Sequence, residues 1–138
     1  MIKHSKKQDN TVGKFSGMGI DIVDIPRFRK TLATRGNRFI NRIFLPSEQK
    51  YCGAKPNPWI HYAGRFAAKE AIAKAFGTGI GKELNWLDIE IISSDSNAPV
   101  VKLSPRAKRL ARRRRTKNIL ISISHTHAYT AAVALLVS

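Results

Sequence analysis

Hydrophobic and polar positions follow two periods along this chain. Short alternating runs rich in β-branched residues predict five strands, at 17–25, 86–93, 100–103, 118–124 and 129–137. Helical spacing, together with glycine and proline positions, predicts helices at 26–36, 37–44, 45–53, 60–77 and 104–116. Strands and helices do not alternate regularly. The pattern therefore predicts an α+β fold in which a largely antiparallel sheet packs with a long central helix.

Prolines, glycines and short polar residues set the predicted boundaries. Pro26 opens the first helix, and Gly36 is a plausible end for it. Ser47 is a candidate N-cap for the short helix at 45–53. The basic helix has Ser104 as its N-cap and Pro105 as its first helical residue.

Glu70 occupies an unfavourable position on the predicted central helix. The apolar side chains that fall within about 60° of it are Trp59, Ala63, Phe66 and Ala67. The other polar residues form a separate row, His61, Arg65 and Lys69. An ionised carboxylate on a buried face costs several kcal/mol unless it is paired or holds a metal. The alternative is an exposed pair with Lys74 one turn later, worth about 0.3–0.5 kcal/mol.

Asp21 raises the same question in the first predicted strand. Alternation places it on the face shared by Gly19, Val23 and Ile25, and aspartate is poorly suited to strand interiors. The alternative is an edge strand from which Asp21 points to water. Two misplaced carboxylates among nine acidic residues suggest one shared cause, a divalent cation. Magnesium prefers one or two carboxylates together with water and substrate phosphates.

The charge of the chain predicts polyanionic partners. Lys and Arg number 25 against 9 for Asp and Glu, giving a formal net charge of +16. Residues 102–117 contain no acid, which indicates either a nucleic-acid patch or a solvated helix face. The aromatic residues typical of single-strand binding are absent from that segment. A second basic cluster follows Asp21: Arg27, Arg29, Lys30, Arg35, Arg38 and Arg42.

Several other classes of protein are disfavoured. No apolar run approaches the roughly 20 residues of a membrane helix. The basic, polar start has no apolar core typical of a secretory signal. Cys52 is the single cysteine, so no internal disulfide framework is possible. We expect a cytoplasmic protein with a flexible basic tail at 1–15 and one domain at 16–138.

Four segments together carry a family resemblance. They are GMGIDIVDIPRF, RFAAKEAIAKAFGTGIG, LDIEI and SISHTHAYTAAVAL, in that order. In order and spacing the chain resembles the holo-acyl-carrier-protein synthase family, from about residue 17 to 136. The resemblance implies the phosphopantetheinyl transferase fold and a homotrimer with active sites between subunits. It implies transfer of 4′-phosphopantetheine from coenzyme A to a serine of apo-acyl carrier protein, which releases adenosine 3′,5′-bisphosphate and supports fatty acid biosynthesis.

The resemblance also implies roles for individual residues. Asp21 and Glu70 match the magnesium ligands, and Lys74 matches a residue that acts at the transferred phosphate. The base that accepts the serine proton is left open between Glu70 and a bound water. Arg27 matches a basic residue near the carrier-protein docking surface.

The same resemblance implies that Arg65, Phe66, His125 and Thr126 form a coenzyme A site. The resemblance also makes an acidic carrier protein the expected partner in place of nucleic acid.

The chain departs from the family pattern in two places. Its N-terminal tail is longer, and the arginine run at 109–115 is more basic. Both departures leave room for an additional anionic partner.

Overall fold

The structure is a computed structural model that describes residues 13–96 and 98–138. Its helices and strands in chain order are β1 (Phe15–Asp24), α1 (Ile25–Ile43), α2 (Pro46–Gly53), α3 (Pro58–Phe76), β2 (Ile89–Ser93), β3 (Pro99–Leu103), α4 (Pro105–Arg113), β4 (Asn118–His125) and β5 (Tyr129–Val137). Most of the predicted tail, residues 1–12, lies outside the described residues, and β1 already begins at Phe15.

Two antiparallel sheets and a long helix make up the architecture. One sheet has the strand order β1-β5-β4, and the second is the hairpin β2-β3. The 19-residue helix α3 lies across β1 and β5 and forms the centre of the core. The predicted α+β fold with a largely antiparallel sheet and a central helix is confirmed. No helix in the described part of the chain is long and apolar enough to cross a membrane.

Small residues let β1 lie directly against α3. A Cβ atom at Gly19 would overlap the carbonyl oxygen of Ala71 and would lie 2.7 Å from the backbone nitrogen of Ala75. A Cβ at Gly17 would overlap the carbonyl oxygen of Ala75. Glycine is needed at both positions because the two backbones approach too closely for any side chain. This contact sets the distance between the next residues of β1 and the last turns of α3.

The predicted helix end at Gly36 is confirmed, because α1 consists of two helical segments separated by a kink at Gly36, which has a positive φ of 59°. Glycine tolerates that conformation, so the second segment, predicted at 37–44, can follow the first at once.

One predicted helix boundary was wrong. The N-cap of α2 is Leu45 in place of Ser47. At this helix start the side chain of Glu48 makes the contact, since its Oε1 accepts the backbone N–H of Leu45 at 2.9 Å.

The start of the predicted strand at 86–93 was also wrong. Trp86–Asp88 forms a 3₁₀ turn, and β2 begins only at Ile89. Asn85 Oδ1 accepts the N–H of Trp86 at 2.7 Å, and Asp88 Oδ2 accepts the N–H of Asn85 at 2.8 Å. These local side-chain contacts satisfy the backbone in a turn and compete with strand pairing.

A buried ion pair connects α3 to three neighbouring elements. Lys69 is 0% exposed and Glu48 is 1% exposed, and Lys69 Nζ lies 2.6 Å from Glu48 Oε1. The ammonium also donates to the carbonyl oxygens of Ile43 at 2.6 Å and Trp86 at 3.1 Å. Glu48 Oε2 accepts the backbone N–H of Ile91 at 3.1 Å. The pair therefore ties α2 and α3 to the end of α1 and to β2.

Burial changes the pKa of Lys69 in this pair. Desolvation lowers the pKa of Lys69, and the neighbouring charge of Glu48 partly opposes that effect. Every hydrogen of the ammonium has an oxygen acceptor, which is the condition under which a buried charge is tolerated.

Candidate active site

Asp21, Glu70 and Lys74 meet where β1 crosses α3. Asp21 lies on the inner face of β1, and Glu70 and Lys74 are one turn apart on α3. Lys74 Nζ donates to Asp21 Oδ1 at 3.1 Å and to the carbonyl oxygen of Ile20 at 3.0 Å. Asp21 has a 16% exposed side chain, although β1 is an edge strand. The structure therefore brings together the three residues that the sequence singled out.

The charges around Glu70 leave it in an unfavourable environment. Burial raises the pKa of the Glu70 carboxyl, and the negative charge of Asp21 raises it further, while Lys74 acts in the opposite direction. Within residues 13–96 and 98–138, the ion pair of Lys74 is with Asp21 and not with Glu70. The simple exposed Glu70–Lys74 pair, the alternative left open by the sequence, is therefore not what forms.

Asp21 and Glu70 are close enough to interact electrostatically, and two such carboxylates fit a magnesium ion. Among the described residues, no group of three or more His, Cys, Asp or Glu side chains could hold a metal. A structural zinc site needs four such ligands, whereas Mg²⁺ takes one or two carboxylates and fills its other positions with water and substrate phosphates. A cation bound there would oppose the burial and the negative charge of Asp21, which raise the pKa of Glu70.

A small cationic cavity of about 190 Å³ lies beside the first half of α3. Arg65 lies in its wall, with its guanidinium 4.0 Å from the centre of the Tyr51 ring and donating to Ser93 Oγ at 3.2 Å. Arg65 is 6% exposed, and its Nε is buried without a hydrogen-bond partner. His61 and His125 line the same cavity. A buried donor with no acceptor beside two imidazoles suits an anionic group such as a phosphate.

The buried and positively charged surroundings of this cavity affect the pKa of His61 on α3. Desolvation lowers the pKa of His61, and the charges of Lys55 and Arg65 lower it further. The sequence placed His61, Arg65 and Lys69 in one polar row at i, i+4 spacing, which showed that they share one face of the helix. That spacing did not indicate that Arg65 and Lys69 would be buried.

His125 and Thr126 belong to a second cavity of about 520 Å³, which Trp59 also lines. Thr126 Oγ1 accepts the backbone N–H groups of Ala128 at 3.2 Å and Tyr129 at 3.1 Å. Those bonds fix the turn between β4 and β5. His125 lines both this cavity and the one with Arg65, so it lies at their junction.

Phe66 and Arg27 lie outside those cavities. Phe66 stacks on Trp86, with ring centres 4.9 Å apart, and contacts Phe28 at 5.3 Å. Its surroundings are those of a packing residue on another side of α3 from Arg65. Arg27 is exposed in the first turn of α1, where its backbone N–H donates to Asp24 Oδ1 at 2.9 Å. Arg27 lies just after the β1–α1 junction, whereas Asp21 lies just before it.

A family model covers nearly all of these features. Residues 17–134 match the model of the 4′-phosphopantetheinyl transferase superfamily, and that range contains every residue of the two sites. The chain belongs to this superfamily. Its carboxylate pair and its cationic cavity are thus parts of a phosphopantetheinyl transferase fold.

Individual members of the superfamily are similar over almost their whole length. The holo-[acyl-carrier-protein] synthase of Chlamydia trachomatis serovar L2 is 49% identical over 119 residues, which are 86% of this chain and 97% of that protein. The Helicobacter pylori holo-[acyl-carrier-protein] synthase in complex with coenzyme A is 39% identical with a TM-score of 0.77, covering 86% and 98%. The Neisseria meningitidis enzyme is 28% identical with a TM-score of 0.85, covering 91% and 100%.

Proposed function

We propose that this protein is a holo-acyl-carrier-protein synthase. It transfers 4′-phosphopantetheine from coenzyme A to a serine of apo-acyl carrier protein and releases adenosine 3′,5′-bisphosphate. The observation that carries the proposal is the meeting of Asp21, Glu70 and Lys74 in a member of the phosphopantetheinyl transferase superfamily. Its similarity to a synthase that was crystallised with coenzyme A supports the choice of donor.

In this proposal Asp21 and Glu70 hold Mg²⁺. Bound there, the ion supplies positive charge that offsets the two carboxylates and the pyrophosphate of coenzyme A. Lys74 is held by Asp21 and by the Ile20 carbonyl, and its side chain is still 51% exposed. Its ammonium can therefore contact a phosphate oxygen and stabilise the charge that develops on the leaving group. The raised pKa of Glu70 supports this carboxylate as the acceptor of the serine proton.

The cationic cavity lined by Arg65 is the proposed binding site for a phosphate of coenzyme A. Arg65 would contribute the charge of its guanidinium there, and His125 lies in the same wall. Thr126 would hold the neighbouring turn in place through its two backbone contacts. Phe66 would act through packing, since it fixes the position of α3 against Phe28 and Trp86.

Mass spectrometry tests the proposed reaction directly. Apo-acyl carrier protein incubated with this protein, coenzyme A and magnesium should gain the mass of one phosphopantetheine group. The matched control is a carrier protein in which the acceptor serine is alanine, and it should gain nothing. Absence of the mass increase with the unmodified carrier protein would refute the assignment. A salt-titrated binding assay with DNA and RNA would test the competing nucleic-acid hypothesis.

An apolar sheet face supports the proposed homotrimer. On the outer face of β1, Met18 is 72%, Ile20 55% and Ile22 63% exposed, and Leu120 on β4 is 48% exposed. β5 joins these two strands, so the four side chains belong to one continuous surface. Contiguous exposed apolar surface of this kind marks an interaction site in soluble proteins. A second and a third copy of the chain are the proposed occupants.

Ile20→Lys should convert the trimer to monomers, because a buried charge at the subunit interface costs several kcal/mol. The residue's backbone carbonyl still accepts from Lys74, so the site within one chain is preserved. Sedimentation equilibrium measures the mass. Val100→Lys is the matched control, since Val100 is 49% exposed on β3, away from this face. A monomeric wild-type protein, or a variant that stays trimeric, would contradict the proposal.

Arg27→Glu should weaken use of the carrier protein more than use of coenzyme A. The basic cluster on α1 begins at Arg27, shortly after Asp21 in the chain, and would attract an acidic partner, so reversing one charge should lower kcat/KM for the carrier about tenfold or more. The KM for coenzyme A should change less than about twofold. Arg109→Glu makes the same charge change on α4 and serves as the control. Equal losses for both substrates would exclude a docking role.

The remaining assignments of location and domain organisation are proposals as well. A cytoplasmic protein is supported by the one cysteine, Cys52, which is buried as a free thiol whose pKa desolvation raises to about 11. A single domain over 16–138 is supported by one contiguous core that includes residues from β1 to β5.

A further inference from the structure

A second basic cavity lies between β3, α4 and β4. Its volume is about 330 Å³, within the range of small-molecule sites. The cations in its wall are Lys102, Lys108, Arg112 and Lys117. Among residues 13–96 and 98–138, no acidic side chain lines it, and it shares no residue with the Asp21–Glu70–Lys74 site or with the cavity of Arg65.

One residue in the wall of this cavity carries a buried hydroxyl without a partner in the described part of the chain. Thr116 is 9% exposed, and its Oγ1 is buried and makes no hydrogen bond within the described part of the chain. The backbone N–H of Thr116 donates to the carbonyl oxygen of Ala111 at 2.8 Å, so the residue is firmly placed. Buried polar groups are nearly always hydrogen-bonded, and an exception in a cavity wall points to a ligand that supplies the acceptor.

The backbone around Thr116 is held in an unusual conformation. Arg115 has a positive φ of 54°, which is the conformation that glycine normally adopts after a helix. On the other side, the N–H of Lys117 donates to the carbonyl oxygen of Val137 at 2.7 Å. Strain that the surrounding structure maintains is frequent at binding sites. Here it fixes Thr116 and Lys117 next to the end of α4.

The cations of this cavity form no ion pair with a carboxylate in the described part of the chain. Among the described ion pairs, the one from α4 joins Arg106 to Asp88 at 2.5 Å, and Arg106 does not line the cavity. Lys108, Arg112 and Lys117 therefore concentrate positive charge at one opening. Charged donors of this kind bind phosphate groups through short, charge-assisted hydrogen bonds.

We propose that this cavity is a second anion site, which binds the phosphate or diphosphate group of a small phosphorylated ligand. Thr116 Oγ1 donates to a phosphate oxygen, and Arg112 and Lys117 neutralise its charge. A nucleic-acid surface would not need a buried hydroxyl in a concave wall, and no aromatic side chain for base stacking lines the cavity. The site is independent of the proposed transfer reaction.

Titration of the full chain with inorganic pyrophosphate, without magnesium, tests this proposal. Nuclear magnetic resonance reports the site, since the amide signals of Thr116 and Lys117 should shift with saturable binding. Calorimetry gives the affinity. Arg112→Ala combined with Lys117→Ala should weaken binding about tenfold or more. The matched control is Arg109→Ala combined with Arg113→Ala, which removes the same charge from α4 outside the cavity and should change the affinity less than about twofold.

Thr116→Val provides a test that does not alter charge. The two side chains have nearly the same shape, so a loss of about fivefold in pyrophosphate affinity would report the missing hydroxyl. Unshifted Thr116 and Lys117 signals would overturn the proposal. Equal losses in the two double variants would also overturn it, since diffuse charge would then explain the binding. A short DNA duplex that binds tighter than pyrophosphate, and equally to the Thr116→Val variant, would assign the surface to nucleic acid.

Discussion

Asp21→Asn and Glu70→Gln should each lower the rate of pantetheinyl transfer by about a thousandfold or more. Each change removes one of the two carboxylates proposed to hold magnesium, and charge stabilisation together with proton transfer at such sites accounts for factors of this size. The rate of mass gain on the carrier protein measures the effect, and calorimetry with magnesium measures the loss of metal binding. Both variants should remain folded, because neither residue contributes to the buried Glu48–Lys69 pair.

Asp24→Asn is the matched control for this experiment. It makes the same chemical change on the same strand, three residues later. Asparagine caps a helix as well as aspartate does, so the contact with the backbone N–H of Arg27 should persist. We expect transfer within about twofold of the wild-type rate. Full activity of Asp21→Asn and Glu70→Gln, together with insensitivity to a chelator, would refute the metal assignment.

The pKa of Glu70 adds a pH dependence to the same variants. A carboxyl whose pKa is raised in the folded protein disfavours the ionised form, so stability falls as pH rises through the folded pKa. Glu70→Gln removes that effect. Without magnesium, the variant should therefore be at least as stable as the wild type at neutral pH. Denaturant unfolding at two pH values, one below the ordinary carboxyl pKa and one near neutrality, measures this difference.

Glu48→Ala should destabilise the protein by about 3–5 kcal/mol, the typical cost of removing one partner of a buried ion pair. Lys69, 0% exposed, would keep its two carbonyl acceptors but lose the carboxylate that opposes its desolvation. The free energy of unfolding from denaturant titration measures the effect. Glu83→Ala is the control, because Glu83 is exposed in the loop after α3 and should change stability by less than about 0.5 kcal/mol.

The pH dependence of stability distinguishes the loss of a charge partner in Glu48→Ala from the loss of packing volume alone. With its pKa further lowered, Lys69 in Glu48→Ala binds fewer protons in the folded than in the unfolded state. Stability of the variant should therefore rise with pH towards the ordinary lysine pKa. Combining Glu48→Leu with Lys69→Met should recover most of the lost stability, since well-packed apolar residues can replace a buried pair. A double variant as unstable as the single one would contradict this account.

Local sequence features predicted most of the elements. Alternation and helical spacing depend on neighbouring residues, so β1, α3, α4 and the β4–β5 hairpin were found in nearly their correct positions. The helix cap at Ser104 was correct, since its Oγ accepts the N–H of Ala107 three residues later. The errors at Ser47 and at residues 86–88 share one cause. In each case a carboxylate three residues later in the chain accepts a backbone N–H group and starts a helical turn: Glu48 accepts from Leu45, and Asp88 accepts from Asn85.

What the sequence by itself determined was that Asp21 and Glu70 stand where a carboxylate is unfavourable. Only the tertiary structure decided how each charge is compensated. Lys74 pairs with Asp21, 53 residues earlier, and not with Glu70 on its own helix. Among the described residues, the most buried carboxylate is that of Glu48, which lies 21 residues from Lys69. Periodicity describes the faces of one element, whereas burial and pairing depend on which faces of different elements pack together.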